Sequence, residues 1–492
     1  MVSSGVNFGT SGVRGLVVDM TDKVCFAYVS AFLQYLQQQD LIDNTARIAI
    51  AGDLRSSTPR IMNAAAAACI NMGFEPVNAG HIPSPAIALY GLKQSIPTIM
   101  VTGSHIPDDR NGIKFNTPLG EILKPDEEGI RAQKVMVPEH LFVKDSLVRT
   151  DYLSVLIADA EIAYIQRFTD FLPKHCLQGK HIGLYEHSSV SRDCLKVILQ
   201  QLGATVTSLA RTDTFMPVDT EAIRAEDSEL AKQWSEQYKF DCIISTDGDG
   251  DRPLVSDEKG NWIRGDVAGI LCAKYLGAER VITPVSSNSA VEKSGYFEKV
   301  VRTKIGSPYV IEAMQAQNKN KCVVGYEANG GFLQQTPIEN QEKVLSHLPT
   351  RDAIIVPLTI ILLAKQASLT ISELLDTLPQ RFTYSDRIKN FPTKLSKQLI
   401  ESMTKGDVSK QKMTISTLLN LQQGIANIDT TDGLRTTLKD ADVVHLRPSG
   451  NAPELRCYTE SGSVEQAKIL NEKTISVLSE YLVNNSGKNL LK

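Results

Sequence analysis

The chain has 492 residues, 42% of them hydrophobic and 22% charged, with a formal net charge of −4. A length of this order predicts three or four domains of roughly 100–200 residues each. The slight acidity excludes a basic surface for nucleic acid, and the longest apolar stretch, residues 353–364, is shorter than the ~20 residues a membrane span needs.

Eight cysteines, Cys25, Cys69, Cys176, Cys194, Cys242, Cys272, Cys322 and Cys457, include no C-x-x-C pair. They are expected to be reduced core residues rather than disulfides or zinc ligands. The N-terminal residues lack a charged and apolar signal region, so a cytoplasmic protein is expected.

Strand and helix patterns alternate along the chain, which predicts an α/β fold with parallel sheets. Within residues 1–150, a first region, 24–36 and 59–72 read as helices, with 47–51 and the β-branched run 97–102 as strands. Near its start, Phe8-Gly-Thr-Ser-Gly-Val-Arg-Gly15 sets Arg14 among glycines, suited to an anion or to a plain glycine turn. The second strand runs into Thr102-Gly-Ser-His-Ile-Pro107, with Asn111, Gly112 and Lys114 close behind. Pro107, Asn111 and Gly112 predict a turn. It would hold Ser104, with His105 beside it, at a strand exit and return Lys114 to the same place. A hydroxyl with a lysine nearby suits covalent or phosphoryl chemistry. A surface turn rich in Ser, Asp and Asn is the rival reading.

A second region, 151–263, shows strands at 181–185, 204–209 and 240–246 and helices at 192–202 and 229–238. Its last strand leads into Asp247-Gly-Asp-Gly-Asp-Arg252. Alternate side chains of an extended or curled backbone point the same way, so Asp247, Asp249 and Asp251 can converge. Oxygen-only ligands favour a hard cation, Mg²⁺ above all. An EF-hand is excluded because Arg252 stands where its loop needs glycine and the flank is strand-like.

A third region, 264–382, has helices at 266–276, 307–317 and 354–363, the last despite Pro357, and strands at 280–283 and 321–325. The latter strand enters Gly325-Tyr-Glu-Ala-Asn-Gly-Gly331. The fourth region, 383–492, is more polar. Its strand at 442–446 leads to Arg447-Pro-Ser-Gly-Asn-Ala-Pro453, and it ends in a helix at 464–481. Arg447, Ser449, Asn451 and the backbone around Gly450 could cradle a phosphate dianion. No repeat motif is shared among the first three regions.

Taken together and in this order, the loops resemble those of the α-D-phosphohexomutase family, from Phe8 to about Glu460. The family comprises phosphomannomutases, phosphoglucomutases and phosphoglucosamine mutases. The resemblance implies three α/β mixed-sheet domains plus a C-terminal α+β domain around a central cleft. It implies that Ser104 is the phosphoserine and that Lys114 assists proton transfer. Arg14 and His105 would stand near the reacting group. Asp247, Asp249 and Asp251, with a phosphoserine oxygen, would hold Mg²⁺ beside Arg252. Glu327 and Asn329 would bind sugar hydroxyls, and Lys304 falls near a substrate-contacting position. Arg447, Ser449, Gly450 and Asn451 would grip the non-reacting phosphate.

Three departures from the family pattern stand out. Asn329 and Gly331 occupy positions that are Ser and His in many members. Ile106 replaces an Asn, and Ser-Gly-Asn-Ala-Pro replaces the commoner Ser-Gly-Thr-Glu-Pro. The expected activity is interconversion of hexose 1- and 6-phosphates through a hexose bisphosphate, as a phosphomannomutase. Glucose and glucosamine phosphates stay open as substrates. A metal-dependent sugar phosphatase and a non-catalytic sugar-phosphate binder are the readings from other classes.

Overall fold

The computed structural model describes residues 4–9, 12–340, 342–449 and 453–486. The chain divides into two compact units. The first comprises Met1–Ile282, Phe297–Lys299 and Gly306–Leu375; the second comprises Thr283–Tyr296, Val300–Ile305 and Asp376–Lys492.

After a short strand, Asn7–Phe8, the first unit continues with β1 (Val13–Leu16), α1 (Asp22–Gln38), β2 (Arg47–Gly52), α2 (Thr58–Asn71), β3 (Glu75–Gly80), α3 (Ser84–Gln94), β4 (Thr98–Val101) and β5 (Arg110–Thr117). Helix α1 starts where the Thr21 side chain accepts from the Val24 N–H, a satisfied N-cap. It buries Phe26, Val29, Phe32, Leu33 and Leu36, the three-and-four spacing of one helical face. Each such side chain contributes about 1.5–3 kcal/mol on burial. Strand β2 runs parallel to both β3 and β4, and β4 turns back antiparallel into β5.

Asn111 and Gly112 are strand residues of β5, not turn residues. The turn is confined to the segment before them, where the Arg110 N–H donates to the Pro107 carbonyl at 3.2 Å. Gly112 is needed for close approach instead. A Cβ there would meet the carbonyl oxygens of Val13 and Thr102 at 2.7 and 2.8 Å. The buried Asn111 amide donates to Ser57 and Thr58.

The same plan recurs twice. Strands β6 (His181–Tyr185), β7 (Thr205–Leu209), β8 (Cys242–Thr246) and β9 (Pro253–Val255) form a sheet in which β6 is parallel to β7 and β8, while β8 is antiparallel to β9. Further on, β10 (Arg280–Pro284) is parallel to β11 (Val323–Tyr326), which is antiparallel to β12 (Phe332–Gln334). A structural repeat is therefore present although no sequence repeat is visible. In each copy a parallel strand exits into a loop and returns antiparallel. Those three loops hold Ser104, the Asp247–Asp251 run and Glu327.

Helix α4 (Ile355–Ala367) is buried along most of its length. Pro357 lies in its first turn, where the missing N–H costs no helical hydrogen bond. No helix among the described residues is long and apolar enough to cross a membrane. All eight cysteines are free, six of them buried.

In the second unit β13 (Phe382–Lys389), β14 (Ile425–Asp429), β15 (Leu434–Leu438), β16 (Val443–Pro448) and β17 (Glu454–Ser461) make one antiparallel sheet in the order β13-β17-β16-β15-β14. Its own core includes Phe391, Leu399, Met403, Leu446, Leu455 and Cys457. The segment 283–296 is tied to this sheet: the Ser289 N–H donates to Glu460 and the Asn288 amide to the Arg381 carbonyl.

Candidate active site

Ser104 sits just beyond β4 with a left-handed φ of 55°. Its N–H donates to Thr102 Oγ1 at 2.7 Å, and its hydroxyl donates to Asp247 Oδ2 at 2.6 Å. A guanidinium builds the loop. Fully buried Arg55 donates to the carbonyls of Ser104, Ile106, Pro107 and Arg110 at 2.6–3.0 Å. Its charge is met by Asp53 at 3.1 Å, which also accepts from Thr58 and Thr102. Phe215 covers the outer face of the guanidinium at 3.9 Å. The sequence reading missed Asp53 and Arg55. The signal available was a charged pair two residues apart at the exit of the strand at 47–51.

The three aspartates converge as expected, one oxygen from each lying within 4.8 Å of the others. The loop curls because the Asp251 and Arg252 N–H groups both donate to Asp247 Oδ1 at 3.1 Å. Gly250 takes a positive φ of 72°, and a Cβ there would strike Ser191 Oγ at 1.9 Å. Lys114 lies on this cluster rather than on Ser104: its Nζ donates to Asp249 Oδ2 and Asp251 Oδ2, both at 2.6 Å. Ser84, at the start of α3, donates to Asp249 at 2.5 Å. It was not anticipated either, and no sequence signal marks it.

Burial, then repulsion from Asp249 and Asp251, pushes the Asp247 carboxyl well above the usual range. Burial acts the same way on the other two but is outweighed, by Lys114 at Asp249 and by Arg351 at Asp251, so both are held low. Asp249 Oδ1 and Asp251 Oδ1 are buried with no hydrogen-bond partner. Buried carboxylate oxygens left unpaired are costly. A divalent cation would satisfy them and relieve the repulsion. The donor set therefore fits a hard metal ion.

Arg252 donates to His105 Nδ1 at 2.9 Å and lies 3.7 Å from Asp251. Burial and then Arg252 push His105 down to about 3, so the imidazole is neutral. Arg14, on β1 opposite Gly112, is brought down to about 10 by burial and by the nearby charges of Arg252 and Arg351. Arg14, Lys114, Arg252 and Arg351 thus gather four cationic side chains around one acidic cluster, a field suited to an anionic group.

Glu327 and Asn329 occupy the β11–β12 loop. The Glu327 N–H donates to the Gly331 carbonyl at 3.1 Å, and the Gly331 N–H to Asn329 Oδ1 at 2.9 Å. Burial raises the Glu327 carboxyl despite the opposing pull of Arg351. Arg351 links this loop to the acidic cluster, 3.0 Å from Asp251 Oδ2 and 3.5 Å from Glu327 Oε2. Nothing in the sequence pointed to Arg351.

Lys304, Arg447 and Ser449 belong to the second unit. There Asp432 Oδ2 accepts both from Arg447 Nε at 2.9 Å and from the Ile305 N–H at 3.0 Å. Asp432, unanticipated, so joins the strand end at Arg447 to the segment bearing Lys304, which is itself exposed. The Ser449 N–H donates to the Glu454 carbonyl at 2.8 Å. Gly450 and Asn451 lie outside the described residues.

Family models of phosphoglucomutase/phosphomannomutase match the chain in three places: alpha/beta/alpha domain I at residues 5–135, alpha/beta/alpha domain III at 264–382, and the C-terminal domain at 401–476. A phosphomannomutase of Salmonella muenchen is 44% identical over 97% of this chain and 97% of its own length. One from Sinorhizobium fredii is 39% identical over 97% of this chain and 100% of its own. In structure, a phosphoglucomutase/phosphomannomutase family protein from Burkholderia thailandensis superposes with a TM-score of 0.75 at 17% identity, covering 98% of each chain. With matching domain models, near full-length relatives and the same fold, this chain belongs to the phosphoglucomutase/phosphomannomutase family.

Proposed function

We propose that the protein is a cytoplasmic phosphomannomutase that interconverts hexose 1-phosphate and hexose 6-phosphate through a phosphoserine at Ser104. The observation that carries this reading is the buried Ser104 hydroxyl hydrogen-bonded into the acidic cluster at 2.6 Å. The names of the relatives at 44% and 39% identity support mannose as the sugar.

In the first half-reaction the bond from Ser104 Oγ to phosphorus breaks and a free sugar hydroxyl bonds to that phosphorus. The sugar hydroxyl loses its proton and Ser104 regains one. The product is a hexose bisphosphate, which returns its other phosphoryl group to Ser104 in the second half. Asp247, Asp249 and Asp251 would hold Mg²⁺, which would supply positive charge against the phosphoryl oxygens. Lys114, donating to two carboxylates of the cluster, is the proposed proton carrier. Arg14 and Arg252 add positive charge, and neutral His105 orients Arg252 by accepting its hydrogen bond. Glu327 and Asn329 are assigned to sugar hydroxyls and Lys304 to the substrate. Arg447 and Ser449, with Gly450 and Asn451, are assigned to the phosphate that is not reacting. The burial of Ser104 protects a phosphoserine from water, which would waste the group.

A four-domain division at 1–150, 151–263, 264–382 and 383–492 accompanies this reading, with the serine, metal, sugar and phosphate loops in turn. The test is turnover of mannose, glucose and glucosamine 1-phosphates, each with a bisphosphate activator. Mannose 1-phosphate should be preferred, and peptide mapping should place phosphate on Ser104. Full activity with Ser104 never phosphorylated would refute the covalent route.

A further inference from the structure

Gly331 has an ordinary backbone conformation, so no positive φ demands glycine there. Space demands it. A Cβ at this position would lie 2.5 Å from Arg351 Cδ and 2.6 Å from Cγ, with Asn329 Oδ1 at 3.1 Å. These are mid-chain atoms of a buried side chain and cannot step aside cheaply. The stem of Arg351 therefore fills the volume that a side chain at 331 would use, the position that is histidine in many family members.

The root of Arg351 is fixed. The N–H of the next residue, Asp352, donates to the Phe332 carbonyl at 2.8 Å, and its carboxylate accepts from Tyr164 at 2.7 Å. From that root the guanidinium reaches Asp251 on one side and Glu327 on the other. A planar fork can hold two carboxylates in register in a way an ammonium cannot.

We propose that Arg351 is the positioning residue that replaces a side chain at position 331, locking the sugar loop to the metal loop through Glu327 and Asp251. The proposal rests on the mutase reading. It pairs the two positions: glycine at 331 goes with arginine at 351, and a larger side chain at 331 requires a smaller one at 351.

The test is a double-mutant cycle of Gly331→His and Arg351→Ala, read by kcat, KM and melting temperature. Arg351→Ala should lower kcat about 10²-fold, the scale of a lost positioning contact. Arg351→Lys should recover only part of that. Gly331→His should lower the melting temperature in the wild-type background but not beside Arg351→Ala. The double variant should exceed the product of the two single effects on kcat by about tenfold or more. Additive effects, or an Arg351→Ala kcat within threefold of wild type, would overturn the proposal. Arg351→Met keeps the stem over Gly331 and carries the kinetic test should the alanine variant not fold. If wild-type protein turned over no hexose phosphate, the mutase reading would fail by itself. Calorimetry with Mn²⁺ would then decide Arg351. Tighter binding by Arg351→Ala, from loss of a cation competing for Asp251, upholds the link, and unchanged affinity overturns it.

Discussion

A serine held at φ 55° is in a conformation that costs a residue with a Cβ roughly 1–2 kcal/mol. At Ser104 the cost is met by the Thr102 hydroxyl on its N–H and the Arg55 guanidinium on its carbonyl. Strain over-determined in this way is a mark of a functional residue. Ser104→Ala should abolish turnover while calorimetry still detects bisphosphate binding; loss of both would point to a collapsed loop instead. Asp249→Ala removes one of the three carboxylates that could hold a metal ion and also the partner of Lys114 and Ser84. Its kcat should fall by roughly 10²-fold or more, the scale of lost electrostatic stabilisation, and activity should no longer respond to added Mg²⁺. Wild-type rates in that variant would remove the triad from the mechanism. The strand-exit place of Ser104 and the convergence of the aspartates were readable because both follow from local spacing along the chain. Ser84, Arg351 and Asp432 were not, and of Arg55 only its pairing with Asp53 was, because the other partners of each lie far away in sequence.

At the scale of elements, one strand–loop–strand plan is used three times, with different polar residues in each loop. No sequence repeat betrays it. A buried parallel strand needs only a short β-branched or apolar run, which many sequences satisfy, and the three loops share no residue pattern. The Asp53–Arg55 pair is the brace of the first copy. Arg55→Met should leave Asp53 buried and unpaired, costing about 3–5 kcal/mol, and should free the four carbonyls of the serine loop. Chemical denaturation should show that loss, and kcat should drop at least tenfold. A variant with unchanged stability would mean the brace is dispensable. The strand at 181–185 was read to the residue from its apolar pattern. Helix α3 is not among the elements predicted from the sequence, although neither Pro85 nor Gly91 breaks it. Pro85 in fact stands in the first turn, and Gly91 permits contact with β4, where a Cβ would meet Thr98 at 2.4 Å.

Over the whole molecule, a net charge of −4 coexists with local cation clusters, so anion recognition depends on particular arginines. Arg447→Ala should weaken mannose 1-phosphate and mannose 6-phosphate alike, by roughly tenfold or more, since a charge-assisted contact is worth about 1.5–3 kcal/mol. An effect on one isomer alone would contradict a shared phosphate grip. Stability should also depend on two buried histidines, one in each unit. His187 and His445 each hydrogen-bond a backbone carbonyl through Nε2, at 2.8 and 2.7 Å, and burial is the main cause that pushes each down to about 4. The folded state keeps them neutral, so their stabilising effect is complete above the unfolded value near 6.5. It is lost as pH falls from there to about 4, by about 3 kcal/mol each at most. Urea midpoints at pH 7 and 4.5 should differ less in His445→Gln than in wild type; an equal difference would show that His445 is not the group. The sequence by itself determined the local arrangements: a strand-exit serine, alternating aspartates, and Arg14 beside a glycine are patterns set by the direction in which neighbouring side chains point. Only the tertiary structure decided which cations neutralise which carboxylates, why Gly331 has no room for a side chain, and that Lys114 lies on the acidic cluster rather than on Ser104. Those are matters of volume and charge between residues that different elements bring together, and no local pattern encodes them.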